Sequence, residues 1–216
     1  MVRFTLFVSM IFLSHAALAQ VDSLGLFEHH QDIGNPKITG SSKYDPVTHT
    51  YTLTGSGYNI WFNRDEFQYL FRKIKGDFVA TANFEFIGDQ GNNHRKIGWM
   101  IRESTDDNAI HVSAVEHGDG LTVLQWRSLK GENMQDPSGE IFYPDKNFEV
   151  IQLQRIGKRI IMRVGHIGEP LKTVGSHLMP NLPDEAFLGL FICSHDPTVI
   201  EKARIWDVHI DQTSAQ

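Results

Sequence analysis

The feature that most constrains this chain is a succession of short β-prone runs separated by clusters of turn-forming residues. Val, Ile, Phe, Tyr, Trp and Thr are frequent in the runs, whereas Gly, Asn and Asp gather between them, as in residues 88–93 and 118–120. No segment shows a convincing helical periodicity. The pattern predicts an all-β fold, a two-sheet antiparallel β-sandwich. The predicted strands are Thr50–Thr54, Asn59–Phe62, Gln68–Phe71, Phe78–Ile87, Lys96–Arg102, Ile110–Glu116, Leu121–Ser128, Phe148–Ile156, Arg159–His166, Phe187–Cys193 and Ala203–Ile210.

The amino terminus has the features of a secretory signal peptide. Arg3 precedes the apolar run Phe4–Leu13, and Ala17-Leu18-Ala19 is a small-residue cleavage pattern. The run is too short to span a bilayer comfortably, and no later segment is a better candidate for a membrane span. We therefore predict a signal peptide at 1–19, cleaved near Ala19, and an exported protein, periplasmic or secreted, with one domain over residues 21–211. An uncleaved N-terminal anchor is the alternative.

Charge and cysteine content narrow the function classes. The 216 residues carry a net charge of −6 and their basic residues are scattered, so a nucleic-acid partner, whose phosphates require a basic patch, is not expected. Cys193 is the only cysteine, which excludes an internal disulfide. Because it lies in the apolar run 187–193, we interpret it as a buried, inert thiol rather than a catalytic one.

Charged and amide side chains occur inside three predicted strands, where burial is costly for them unless a partner is present. Side chains alternate across a strand, so Trp99 and Arg102 lie on opposite faces of theirs. If the three strands are neighbours, the alternation predicts one shared polar surface. Its members are Arg102, His111, Ser113, Gln125 and Arg127.

Two interpretations of this surface remain open. One is a solvated outer face with cross-strand polar pairs. The other is a concave ligand surface whose amide and guanidinium groups hydrogen-bond sugar hydroxyls or carboxylates, with aromatic rings against the apolar faces of the sugar. Trp61 and His195 also allow two interpretations: each lies either at the rim of a groove or in a role that fixes packing or a turn. Tyr69 is added as a candidate because tyrosine is a residue type that a lyase would use as its base.

Several ordered motifs carry a family resemblance. They are Gly98-Trp99-Met100-Ile101-Arg102-Glu103-Ser104, His111-Val112-Ser113, Leu124-Gln125-Trp126-Arg127 and Phe187-Leu188-Gly189-Leu190-Phe191-Ile192-Cys193-Ser194-His195. The set resembles the exported bacterial concanavalin A-like domain known as "regulation of enolase protein 1", over nearly the whole mature chain. The resemblance implies a jelly roll of two antiparallel sheets, as in lectins and glucanases. It does not imply an activity, because this fold supports both binding and catalysis.

The residues leave an enzymatic role open. Ordinary glycoside hydrolysis needs paired carboxylates, and Glu103 and Glu116 are isolated on separate predicted strands. A polysaccharide lyase needs a base and a group that neutralises a uronate, and His111, Tyr69 and the arginines are of the right types. No metal motif is present, although Asp106-Asp107-Asn108 and Asp119 lie in loops where calcium could bind.

The leading hypothesis is therefore an exported carbohydrate-binding β-sandwich module without a cofactor. Its expected ligand-binding residues are Arg102, His111, Gln125, Arg127, His195, Trp61 and Tyr69, and its expected partner is a glycan or polysaccharide. The alternatives are a polysaccharide-active lyase or glycoside hydrolase that uses the concave face, and an envelope module that binds another protein.

Overall fold

Short extended segments joined by turns make up the chain, as its sequence predicts. The computed structural model describes residues 23–88, 90–134 and 138–212, so the predicted signal peptide lies outside the described residues. Fourteen strands are present in the described part of the chain. They are β1 (His29–Ile33), β2 (Ser41–Asp45), β3 (Thr50–Gly55), β4 (Phe67–Lys75), β5 (Phe78–Phe86), β6 (Lys96–Arg102), β7 (His111–His117), β8 (Leu121–Arg127), β9 (Glu140–Lys146), β10 (Val150–Ile156), β11 (Arg159–Gly165), β12 (Lys172–Leu178), β13 (Glu185–Cys193) and β14 (Glu201–Gln212).

The strands form two antiparallel sheets. The first sheet has the order β1-β4-β13-β6-β7-β8-β9, and the second has the order β12-β11-β10-β5-β14-β3-β2. Half of the neighbouring pairs are consecutive strands and half are distant in sequence, as where β13 lies between β4 and β6. The predicted all-β, two-sheet antiparallel sandwich is confirmed.

The main core fills the space between the sheets. Because side chains alternate along each strand, one side of every sheet contributes to this core. Trp99 of β6 and Leu124 of β8 point inward from the first sheet, and Phe84 of β5 and Leu153 of β10 point inward from the second. Each of these side chains is at most 1 % exposed. Burial of one such side chain stabilises the fold by roughly 1.5–3 kcal/mol.

The outer face of the first sheet, turned away from the second sheet, is also largely buried. A second apolar cluster lies there, and Ile60 from the segment 56–66 joins it with no exposed surface. Strands β6, β7 and β8 are therefore buried on both faces over most of their length. The members of the cluster are Ile33, Ile60, Phe67, Tyr69, Phe71, Met100, Val115, Val123, Phe191 and Cys193.

Close packing of the strands requires glycine at one position of the outer face. Gly98 has φ 152°, and a Cβ atom there would lie 1.9 Å from the carbonyl oxygen of Ala114 on β7. A larger residue would have to push β6 away from β7, which explains a glycine inside an otherwise apolar strand.

Two aspects of the predicted strand set are wrong. Asn59–Phe62 is not a strand, because it belongs to the segment 56–66 that covers the outer face, where only an isolated bridge joins Ile60 to Asp65. In addition, β1, β2, β9 and β12 are absent from the prediction, and all four are edge strands.

The structure also bears on the predicted inert thiol of Cys193 and on the membrane-span prediction. Cys193 is buried, and burial raises the pKa of its thiol to about 11, which agrees with an inert thiol. Among the described residues, no helix has the length and hydrophobicity needed to cross a bilayer.

Candidate functional site

The predicted polar surface exists, since the register of β6, β7 and β8 places its members side by side. Arg102 lies opposite His111, which lies opposite Arg127. Ser113 lies opposite Gln125 in the same way. All five are on the outer face of the first sheet, and each is at most 2 % exposed. Their depth, rather than their side of the sheet, decides what each can bind.

One end of this face is filled by an internal ion cluster, which we call the closed end and which consists of Asp65, Arg102, His111 and Arg127. Arg127 donates two hydrogen bonds to the carboxylate of Asp65, at 2.9 and 2.6 Å. Arg102 donates to the same carboxylate at 3.4 Å. All of these side chains have no exposed surface. The two guanidinium groups thus share one buried anion that comes from the covering segment 56–66.

Backbone carbonyl groups accept the remaining hydrogen bonds of Arg127 and two of those of Arg102, whose Nη1 contacts the sulfur of Met100 at 3.5 Å. Arg127 donates to the carbonyl oxygens of Phe62, Ala109 and Glu132. Arg102 donates to those of Ser104 and Asp106. These carbonyls belong to three different loops, so the closed end ties those loops together over the sheet. No donor of Arg127 is left for an external ligand, because a guanidinium group has five and all are used.

His111 and Tyr69 are enclosed as well. Burial, together with the charges of Arg127 and Arg102, holds the pKa of His111 well below its usual range. Burial raises the pKa of Tyr69, whose hydroxyl donates toward the carbonyl oxygens of Met100 and Phe187. Neither side chain has exposed surface, so a sugar cannot reach four of the seven predicted ligand residues in this structure. Arg102, Arg127 and Tyr69 donate their hydrogen bonds within the protein instead.

The other end of the same face is a cleft of about 370 Å³. Five residues of β6 lie between Arg102 at the closed end and Lys96 at the cleft, and the two are about 20 Å apart along the strand. Three predicted ligand residues line the cleft: Trp61, Gln125 and His195. The full lining consists of Asn59, Trp61, His94, Lys96, His117, Leu121, Gln125, Glu140, Phe142 and His195.

Several polar atoms that line the cleft are buried without a hydrogen-bond partner in the described residues. They are both ring nitrogens of His117, Nδ1 of His195 and Oε1 of Gln125. A buried polar atom without a partner costs about 1–3 kcal/mol, so groups of this kind are normally paired with protein, water or ligand. The ring nitrogens of His111 at the closed end also have no hydrogen-bond partner, but only the atoms at the cleft line an open space that a ligand could enter.

Three histidines lie together at the cleft. The ring centroid of His94 is 5.9 Å from that of His117 and 5.3 Å from that of His195. Burial, and then the charge of Lys96, lower the pKa of His117 to about 3 and that of His195 to about 4. Both rings are therefore neutral at pH 7, and each presents one donor and one acceptor nitrogen.

Basic and acidic side chains lie at different depths of the cleft. Lys96 is 3 % exposed, and its ammonium group donates to Oδ1 of Asn59 at 2.8 Å. Burial lowers the pKa of Lys96, whereas the nearby Glu140 opposes that shift. Glu140 is only half-buried and accepts a hydrogen bond from Gln125 at 3.4 Å. A lysine amine thus lies deep in the cleft and a carboxylate lies near its rim.

Sequence reasoning missed most of the cleft, although one signal was present. Lys96 has the strand parity of Arg102, and His117 has the parity of His111, so extending the alternation to the strand ends would have placed both on the outer face. Glu140 and Phe142 were missed because their strand, β9, was not predicted. Asn59 was missed because its segment was assigned to a strand rather than to the covering loop.

A second cavity, of about 510 Å³, is lined by residues of both sheets beside the turn between β7 and β8. Glu116 points into it with a buried, unpaired carboxyl oxygen, and burial together with Glu149 raises the pKa of Glu116 to about 8. Glu103 lies at the opposite end of β7 and accepts a hydrogen bond from Ile110. The two carboxylates therefore do not form the pair that a glycosidase requires.

In the loops where calcium could bind, two of the acidic side chains form ion pairs with lysines. Asp106 pairs with Lys130, and Asp119 pairs with Lys146 at 2.6 Å. Within the described ranges, no three His, Cys, Asp or Glu side chains are arranged to hold a metal ion.

Comparison with solved structures shows the architecture. A functionally unknown protein from Saccharomyces cerevisiae matches with TM-score 0.61 and 12 % identity, over 81 % of this chain and 93 % of that one. The lectin UEA-II, solved in complex with galactose, matches with TM-score 0.51 and 8 % identity, over 84 % of this chain and 96 % of the lectin. The alginate lyase A1-II′ matches with TM-score 0.52 and 8 % identity, over 80 % of this chain and 83 % of the lyase.

This chain has the concanavalin A-like fold. At such low identity the likeness concerns the fold alone, and the fold is shared by sugar-binding and sugar-cleaving proteins. No family model and no curated protein sequence matches the chain. The finer resemblance to the "regulation of enolase protein 1" group therefore stays a prediction.

Proposed function

We propose that this protein binds a glycan in the cleft on the outer face of the first sheet, at the end of that face opposite the closed end. The observation that carries the proposal is the set of buried polar atoms of His117, His195 and Gln125 that have no partner among the described residues although they line an open cleft. Sugar hydroxyl groups both donate and accept, so they match neutral imidazoles and an amide better than an apolar or singly charged ligand would.

Aromatic side chains support a sugar rather than another polar ligand. Trp61 is half-buried at the cleft, and Phe142 is 46 % exposed there. The apolar C–H face of a sugar ring packs on such a ring, while its hydroxyl groups reach the polar lining. The cleft volume is also within the range of roughly 300–1,000 Å³ that is typical of ligand pockets.

The structural comparisons agree with this class of ligand. One protein of the same fold was solved with galactose, and another is an alginate lyase. The shared fold makes a carbohydrate ligand plausible for this chain, and the cleft residues give it a place to bind.

The sequence features of residues 1–20 support an exported location, which suits a protein that binds extracellular or envelope polysaccharide. Mass spectrometry of the protein purified from its native source tests this part of the proposal. A mature chain that begins near Gln20 is the expected result, and an intact amino terminus in the cytoplasmic fraction would contradict it.

A glycan array with the purified protein, followed by titration calorimetry of the best ligands, tests the binding proposal. Gln125→Ala and Trp61→Ala should each weaken binding by about 10-fold or more, because each removes a contact inside the cleft. Gln154→Ala, on the second sheet, and Trp206→Ala, in the other cavity, are the matched controls. Equal effects of cleft and control variants, or no glycan binding at all, would reject the proposal.

A lyase activity is the second candidate, and one observation favours it. The lyase residues proposed from sequence, His111 and Tyr69, are enclosed, whereas His117 and His195 line the cleft itself, within reach of a bound substrate. Incubation with uronate-containing polysaccharides tests this candidate, since elimination creates an unsaturated product that absorbs ultraviolet light. Binding without such absorbance would identify a lectin-like module.

A further inference from the structure

Lys96 is the only buried lysine or arginine among the described residues that line the cleft, and no carboxylate is paired with it directly. Its hydrogen-bond partner is the neutral amide of Asn59, and no carboxylate of the described residues forms an ion pair with it. Burial of a charge without a counter-ion is strongly unfavourable, so a buried cation normally has an anionic partner. At the closed end of the same face, Asp65 supplies such an anion to two arginines.

The surroundings of Lys96 leave space for an anion from outside. Lys96 lines the cleft together with His117 and His195, whose rings have lowered pKa values and are uncharged at pH 7. Neutral imidazole N–H groups and the Gln125 amide can donate further hydrogen bonds to an anion. Glu140 repels an anion from the rim, so the favourable position is the deep side of the cleft, beside Lys96.

We propose that the cleft recognises an acidic glycan, with the anionic group of the sugar bound by the ammonium group of Lys96. This inference rests on the proposed function and names its ligand class. A charged hydrogen bond in a buried site contributes about 1.5–3 kcal/mol, which corresponds to about 10- to 100-fold in affinity. The acidic group can be a uronate carboxylate or a sulfate ester, because both present oxygen anions of similar reach.

Matched pairs of oligosaccharides test the proposal, because each pair differs in charge and keeps the same backbone. Uronate oligomers are compared with their methyl esters, and sulfated galactan oligomers with their desulfated forms, by titration calorimetry. The acidic member of at least one pair should bind about 10- to 100-fold more tightly, and the pair that shows the preference identifies the acidic group. Equal affinity within both pairs would overturn this inference and leave the glycan proposal intact.

Two variants link the preference to Lys96. Lys96→Met should remove the preference for the acidic member, whereas Lys43→Met, which removes an exposed lysine of the second sheet, should keep it. Asn59→Asp places a carboxylate beside the ammonium group, which the native amide oxygen contacts at 2.8 Å, and should remove the preference while Lys96 remains. It also retains the hydrogen bond from the backbone N–H of Ile60.

The outcomes separate the two proposals. An acidic preference that survives in both Lys96→Met and Asn59→Asp would overturn the role of Lys96. A failure of the wild-type protein to bind any glycan would reject the proposed function together with this inference. Circular dichroism and thermal melts of every variant show whether a loss of binding arises from unfolding.

Discussion

The closed end and the cleft lie on the same face of the same three strands, yet their basic side chains have different partners. At the closed end, the carboxylate of Asp65 from the covering segment contacts Arg102 and Arg127, and loop carbonyls accept most of the remaining hydrogen bonds of the two arginines. At the cleft, the same segment offers Lys96 only the amide of Asn59, and ring nitrogens of His117 have no partner in the described residues.

The difference teaches how one face can serve both stability and recognition. The ion cluster is buried under loops that it contacts, and its two arginine side chains have no exposed surface that a ligand could reach. Toward the other end of the same strands, beginning at Gln125 on β8 and reaching Lys96 on β6, the loops leave the polar floor open. The polar strand residues that the sequence analysis placed on one surface thus lie in two regions, one covered by loops and one open.

The largest expected effect comes from breaking the closed end. Asp65→Asn should destabilise the protein by about 3–5 kcal/mol, because it leaves two buried guanidinium groups without their shared anion. Urea denaturation followed by tryptophan fluorescence measures this loss. The control is Asp145→Asn, whose carboxylate is 65 % exposed and lies 4.0 Å from Lys172, and it should change stability by less than about 1 kcal/mol. Similar losses in the two variants would mean that the closed end is not a stabilising cluster.

A smaller effect concerns acid and the histidine at the cleft. The pKa of His117 falls from its ordinary value of 6.5 to about 3 in the folded protein because the ring is buried. Between these values the unfolded chain binds a proton that the folded chain does not, so stability decreases as the pH falls, by up to about 1.4 kcal/mol per pH unit. His117→Gln should remove this share of the acid sensitivity.

The same substitution at His111 compares the closed end with the cleft directly. At pH 8, His117→Gln should change stability by less than about 1 kcal/mol because its cleft accommodates the new side chain, whereas His111→Gln should cost more because its surroundings are fully packed. Urea titrations at pH 8 and pH 5 measure both variants. An unchanged acid sensitivity in His117→Gln would contradict the assigned pKa shift.

The sequence predicts the two sheets and the shared polar face because both follow from alternation in strands with strong apolar patterns. β6 begins and ends at the predicted residues, and the predicted neighbours of Arg102, His111 and Arg127 are confirmed by the register. The four strands that were not predicted are all at sheet edges, and in β12 no residue is fully buried. Edge strands bury little on either side, so their sequences show no apolar alternation.

The site could be predicted only in part. Alternation shows on which face Arg127 and Gln125 lie, but it does not show which of them a loop will cover. That depends on Asp65, which is 37 residues from Arg102 and 62 residues from Arg127 along the chain. Before the fold is known, Asp65 is one acidic residue among 26 and has no feature that identifies it as the counter-ion. The distinction between a closed and an open end is therefore a property of tertiary structure.

A still smaller effect is expected when the cation at the cleft is removed. Lys96→Met should leave stability unchanged or raise it by about 1 kcal/mol, because it replaces a desolvated ammonium group by an apolar side chain of similar length. Arg127→Met at the closed end should instead destabilise the protein, because it removes a five-fold hydrogen-bonded partner of Asp65. Thermal melts of the two variants at one pH give the comparison. Equal destabilisation would show that Lys96 is a structural residue like Arg127.

The smallest expected change in stability is that of Gln125→Ala, and it is the most informative about the cleft. Gln125→Ala removes an amide whose Oε1 has no partner and whose Nε2 makes one long hydrogen bond to Glu140, so stability should change by less than about 1 kcal/mol. Ser42→Ala is a useful reference, since Oγ of Ser42 is likewise buried without a partner but lies on the second sheet, away from the cleft. Both variants should unfold at urea concentrations close to that of the wild type. If only Gln125→Ala weakens glycan binding, unpaired polar atoms matter where a ligand can reach them; if Gln125→Ala unfolds early, the cleft is held together by contacts like those of the closed end.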